Sequence, residues 1–170
     1  AANAFATPLG TVNIDTESVA AIRDQPGVCV SDDAHRDEHS LEVQLPFLQY
    51  MLNEFTLLPI VVGRCPPEQV GAVIDRLWGG PETLIVVSTD LSHFLAYEEA
   101  RTLDEATQRR IIGKASNLDG HEACGAHAVN GLMRAEHCRQ LTVAAIDLRN
   151  SGDTAGMKDR VVGYGAFVMH

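Results

Sequence analysis

The sequence is poor in positive charge. Thirteen Lys and Arg stand against 23 Asp and Glu, for a formal net charge of −10. That balance repels a phosphate backbone and no basic run interrupts it, so nucleic acid is not an expected partner. No apolar run approaches the roughly 20 residues that a bilayer-spanning helix needs, so no membrane association is expected. The opening stretch, AANAFATPLG, has neither a basic region nor an apolar core, and no export signal is read from it. Four cysteines are present, Cys29, Cys65, Cys124 and Cys138, and none belongs to a Cys-x-x-Cys pair. A structural zinc ribbon is therefore not expected. The four read as reduced thiols of a cytoplasmic protein. Cys29 and Cys65 read further as small buried hydrophobes. No Gly-x-Ser-x-Gly elbow occurs, which weakens a Ser-His-Asp hydrolase. Internal repeats, low-complexity tracts and linkers are also missing. The first residue is Ala1 rather than Met, which fits either processing or origin as the later part of a longer protein.

What is there suits one globular domain over residues 1–170. A chain of this length buries enough apolar surface to fold without disulfides. Strand and helix signals alternate. TPLGTVNID reads as a short strand or hairpin, and Asp15 caps a helix over TESVAAIRD. GVCVS and FTLLPIVVG (55–63) read as strands, the second one buried. Pro66 and Pro67 open a helix over PEQVGAVIDRL. TLIVVSTD is the strongest strand signal, apolar on both faces as a central strand would be. Thr102 and Glu105 have capping-box spacing at the start of the next helix. A further helix is expected from about Glu122 to Ala135. LTVAAIDLRNSGD and RVVGYGAFVMH are two late strands with no long helix between them, so part of the sheet is expected to be antiparallel. The alternation argues for an α/β layered fold.

Three clusters carry potential chemistry. VVSTDLSHF places Asp90 and His93 at the carboxyl end of the central strand, where α/β sheets form sites. Three residues apart, they can face one cleft, with Asp90 orienting His93 for proton transfer. Alternatively, Asp90 caps the following helix and His93 is an ordinary polar group. DAHRDEHSLEVQLPF brings His35, Asp37, Glu38, His39 and Glu42 together ahead of an apolar run. On a helix Glu38 and Glu42 would share a face, and Pro46 would bend or restart that helix; an acidic, solvated helix start is the simpler alternative. HEACGAH holds His121, Cys124 and His127. Their i, i+3, i+6 spacing makes consecutive members neighbours but separates the outer two, so one regular helix cannot easily present all three to one ion. The Asp119-Gly120 turn puts Cys124 near a helix N-terminus, which favours a thiolate. Such a thiolate suits a nucleophile, a redox centre or a metal ligand. A buried structural cysteine is the alternative.

Taken together, EHSLEVQLPFLQYM, TLLPIVVG, VVSTDLSHF, CGAHAVNGLMRA and VVGYGAFVMH resemble, in order, the motifs of the MEMO family, whose bacterial members are called AmmeMemoRadiSam system protein B. The resemblance runs from about Thr7 to the end. It implies a three-layer α/β/α fold with a mixed central sheet, like that of the class III extradiol dioxygenases, which are non-haem iron enzymes. It also implies a pocket in which Cys124 is a metal ligand, His93 the acid/base residue and Asp90 its partner. His39 and Glu42 would line or support that pocket with His127 as a substrate-binding group. Iron or copper is the implied cofactor, with two further histidines expected from Pro-His-Ala-Gly and Gly-Pro-x-His motifs that these 170 residues do not contain. A sheet without that segment would expose apolar edges, so a companion fragment or a homo-oligomer is expected to cover them. The function so implied is that of a metal-binding protein with a dioxygenase-like pocket, a candidate redox enzyme acting on a small molecule or peptide. The alternatives are a non-catalytic peptide-binding module in the same pocket and a metal-dependent hydrolase using Asp90 and His93.

Overall fold

The computed structural model describes residues 3–154 and 156–170. The chain is α/β. It opens with a hairpin of β1 (Ala4–Thr7) and β2 (Gly10–Asn13), closed by the Thr7–Gly10 pair. Helix α1 (Thr16–Ile22) follows at once. Asp15 caps it, accepting hydrogen bonds from the Ser18 hydroxyl at 2.7 Å and from the amides of Ser18 at 3.0 Å and Glu17 at 3.1 Å; the hydroxyl first, then the amides, hold its carboxyl below the usual range. Two short helices come next, α2 (Asp32–Arg36) and α3 (Leu45–Met51), and Pro46 stands in the first turn of α3. Helix α4 (Pro67–Leu77) likewise begins at its proline, whose missing N–H is unneeded there.

The remaining elements are β3 (His93–Leu95), α5 (Tyr97–Ile112), α6 (Ala126–Arg134), β4 (Val143–Asn150) and β5 (Val161–Met169). The three strands form one antiparallel sheet in the order β3-β5-β4, with irregularities at 93/95 and 145/147. Helix α5 packs along this sheet, and α4 packs on α6. The main core joins Leu91, Ile111, Leu118, Val129, Met133 and Val143, with Phe167 and Met169 from β5 closing it. A smaller cluster of Ile74, Ala135 and Cys138 lies under Trp78 and Leu132.

Several expectations are corrected. Helix α5 starts at Tyr97, so Thr102 is interior and donates back to the Glu98 carbonyl at 2.9 Å instead of capping. Helix α6 starts at Ala126 rather than near Glu122, because Asp119 draws the amides of His121 and Glu122 into a separate turn. Segments 28–31, 55–63 and 84–90 are not laddered strands. The middle one makes a single parallel bridge, between Leu57 and Ile14. Segment 84–90 is apolar enough for a central strand, yet Leu84 is 65% and Val86 46% exposed. Hydrophobicity suits a segment to a sheet interior, but a ladder also needs hydrogen-bonding neighbours, and among the described residues none pairs along this stretch. Among the described residues no helix is long and apolar enough to cross a membrane.

Asn130, buried on α6, fixes the loop that leads to Cys124. Its side chain accepts from the Leu118 amide at 2.8 Å and donates to the Leu118 carbonyl at 2.9 Å. Asn130→Leu leaves both backbone groups buried and unpaired. It is expected to lower the unfolding free energy by about 2–4 kcal/mol, measured by urea denaturation; a loss below 1 kcal/mol would show that the loop is anchored elsewhere.

Candidate metal centre

The end of segment 84–90 and the turn before α6 meet through a reciprocal clasp. The Cys124 amide donates to the Asp90 carbonyl at 3.2 Å, and the Asp90 amide points back at the Cys124 Sγ at 3.3 Å. Thr89 completes it. Its Oγ1 accepts from the Gly125 amide at 2.7 Å and stands 3.4 Å from the sulfur. Gly125 is required by this closeness, because a Cβ there would fall 2.7 Å from the Thr89 Cβ and 3.1 Å from the Ser88 carbonyl oxygen. Cys124 lies just ahead of Gly125, the residue that caps α6, so its position beside a helix N-terminus agrees with the sequence.

Leu91 and Ser92 are buried, so the chain enters the core after Asp90 and returns at His93, the first residue of β3. The turn places His93 Nε2 3.7 Å from Asp90 Oδ2, an electrostatic contact longer than a hydrogen bond. Asp90 thus faces His93 and caps no helix. One donor atom each from Asp90, His93 and Cys124 lie within 4.8 Å of one another. Two ligands bound at about 2.0–2.3 Å from one ion stand no more than roughly 4.5 Å apart, so small side-chain adjustments would gather all three. A carboxylate, an imidazole and a thiol offer hard, intermediate and soft donors, a set that several transition metals accept, zinc, iron and copper among them.

The other expected site residues stand differently. His39 and Glu42 are exposed and pair with each other, Nδ1 to Oε1 at 2.5 Å, in a turn ahead of α3. Glu38 is not on a shared helix face with Glu42; its carboxylate accepts from the Ser40 amide, which holds it below the usual range. This turn is nonetheless linked to the site, because Gln44 Nε2 donates to Ser88 Oγ at 3.2 Å. His121 and His127 are both exposed and lie outside the three-donor group. Cys29 is exposed and Cys65 half-buried, against the expectation of two buried thiols; Cys138 is the buried one, and burial pushes its thiol pKa up.

Sequence reasoning missed Asp104. It sits on α5 in the buried register of Ala100, Thr107 and Ile111, and its carboxylate accepts from both the amide and the hydroxyl of Ser92, at 3.0 and 3.1 Å. Burial pushes its pKa up, opposed by these bonds and by His93. A carboxylate in the apolar register of an amphipathic helix was the available signal.

These features define an α/β domain with a mixed sulfur, nitrogen and oxygen donor group where an extended segment meets a helix N-terminus. The chain belongs to the MEMO family: the profile described as Memo-like protein matches residues 1–168. It is 37% identical to a MEMO1 family protein of Aquifex aeolicus over 95% of this chain and 65% of the relative. Relatives of the same description in Archaeoglobus fulgidus and Aeropyrum pernix are 32% and 33% identical, over 95% and 94% of this chain and 66% and 62% of theirs. The chain therefore spans slightly less than two thirds of the length of these curated relatives.

Gly125→Ala forces Thr89 away from the sulfur. It is expected to cost about 1–3 kcal/mol in stability and to move the amide resonances of Thr89 and Asp90. Unchanged resonances would show that the clasp tolerates a side chain.

Proposed function

We propose that this protein binds a redox-active transition metal, iron or copper, with the Cys124 sulfur as its principal ligand in this chain. The convergence of Asp90, His93 and Cys124 within 4.8 Å supports this reading. His93 handles protons beside the metal, and Asp90, whose Oδ2 stands 3.7 Å from its Nε2, steers the ring electrostatically. Two histidines from a segment outside these residues complete the ligand set, as the family resemblance implies. A metal so held supplies electron transfer or activation of a small molecule, in keeping with a dioxygenase-like pocket. His39, Glu42 and His127 are exposed and available to meet a small-molecule or peptide substrate. Four free thiols suit a reducing compartment such as the cytoplasm.

Protein purified anaerobically and loaded with Fe(II) is expected to retain metal, and Cys124→Ala to weaken that binding by about tenfold or more. Equal content and affinity in the variant would remove Cys124 as a ligand. Substrate-dependent oxygen consumption across a catechol panel then separates an oxygenase from a binding module.

The exposed apolar segment 84–86 supports a partner as well: a companion polypeptide or a second copy of the chain pairing along this edge. Sedimentation is expected to show an oligomer or a stable complex, with the 84–86 amides protected from hydrogen exchange. A monomer with those amides unprotected would sink this part.

A further inference from the structure

We infer that Asp104, which is not itself among the metal donors, is a positioning residue that sets the turn carrying Asp90 and His93. This rests on the proposed metal role of that turn, but its own evidence lies elsewhere in the fold. Asp104 is 2% and Ser92 0% exposed, and the carboxylate receives both Ser92 donors. A buried carboxylate is costly to place, and an apolar side chain would sit more cheaply in this register of α5. What the carboxylate provides is a partner for a backbone amide that no strand serves. Strand β5 pairs with His93 and Leu95 and also reaches back to the two residues before them: the Leu91 amide donates to the Gly163 carbonyl at 2.9 Å, and the Gly163 amide donates to the Ser92 carbonyl at 2.8 Å. The Ser92 amide faces the other way and is taken by Asp104.

Gly163 shows how closely this clamp is built. A Cβ there would fall 2.1 Å from Asp104 Oδ2 and 2.5 Å from its Cγ. The strand backbone and the carboxylate therefore occupy adjoining space, and only glycine admits both. Ser92 is held from one side by strand β5 and from the other by helix α5.

Immediately beyond, Phe94 has φ 61°, a left-handed conformation that a bulky residue adopts only when its surroundings impose it. The irregularity in the β3–β5 pairing falls at the same place. Phe94 is exposed, with the Arg160 guanidinium 4.8 Å above its ring and the neighbouring His93 ring edge-on at 5.8 Å, and these surface contacts do not by themselves impose the strain. The clamp on Ser92 does: it fixes the chain on entry to the turn, and the turn then delivers His93 beside Asp90 and Cys124. Without it, Phe94 relaxes and His93 swings out of the donor group.

The test uses cobalt(II) as the probe, with the cobalt–thiolate absorption band as readout, alongside amide resonances of Asp90, His93 and Cys124 in the metal-free protein. Asp104→Ala and Gly163→Ala are each expected to weaken cobalt(II) binding about 10- to 100-fold and to move the Cys124 amide, although neither residue touches Cys124. Asp104→Asn keeps an oxygen for the Ser92 amide and offers its own N–H to the Ser92 hydroxyl, so it is expected to lie nearer the parent protein than Asp104→Ala does. Parent-like affinity and parent-like resonances in folded Asp104→Ala would overturn the inference. Should that variant fail to fold, Ser92→Ala, which removes one of the two bonds, is read in the same way. If the parent protein binds no cobalt(II), the metal role fails by itself, and the Cys124 amide in Asp104→Ala and Ser92→Ala still decides whether Asp104 sets the turn.

Discussion

The site depends on a pair of backbone contacts made by one residue. Asp90 receives the Cys124 amide on its carbonyl and directs its own amide at the Cys124 sulfur. Sulfur is a diffuse acceptor, and a single such contact is weak. Paired with the carbonyl bond, and backed by Thr89 on Gly125, it fixes the thiol relative to the end of segment 84–90 in both distance and orientation. Every other donor in the group hangs from this junction. The Asp90 carboxylate projects from the residue that makes it, and His93 follows three residues later.

The fold holds each half of the junction by different means. On the helix side, Asn130 ties Leu118 to α6, and Arg110 reaches from α5 to Glu122 and to Asn117. These contacts make a rigid bracket of the irregular stretch between α5 and α6, although it has no regular structure of its own. On the Asp90 side, Leu91 is buried in the core and Ser92 is gripped by β5 and α5. The segment before Thr89 is held by side chains, through the packing of Ile85 and Val87 on the two cores and the Gln44 bond to Ser88, and among the described residues no ladder of backbone bonds secures it. The donor group is thus anchored more firmly downstream of Asp90 than upstream of it.

Much of this was legible in the residues, and the exceptions share a cause. Asp15, Pro67 and the two late strands declare themselves locally, through a cap, a ring that fixes φ and a β-branched run, and the structure has them where the sequence put them. The meeting of Cys124 with Asp90 and His93 followed from the order of motifs rather than from spacing, since no local pattern links residues that far apart. TLIVVSTD failed as a laddered strand because pairing belongs to neighbours, and periodicity records only burial. Thr102 failed as a cap because a helix begins where its first amides lose their partners, and here that is Tyr97. The register of Asp104 on α5 marked it as buried, but its partner Ser92 lies twelve residues away with no local pattern to link the two.

The open edge of residues 84–88 has a thermodynamic corollary. A strand lying along it would contact the same few residues that present Thr89 and Asp90 to the sulfur. Were the proposed ion and such a strand both to bind, each would act on the junction the other uses, and the two affinities would be coupled. Linkage makes this reciprocal: whatever factor the strand adds to the ion's affinity, the ion returns to the strand's.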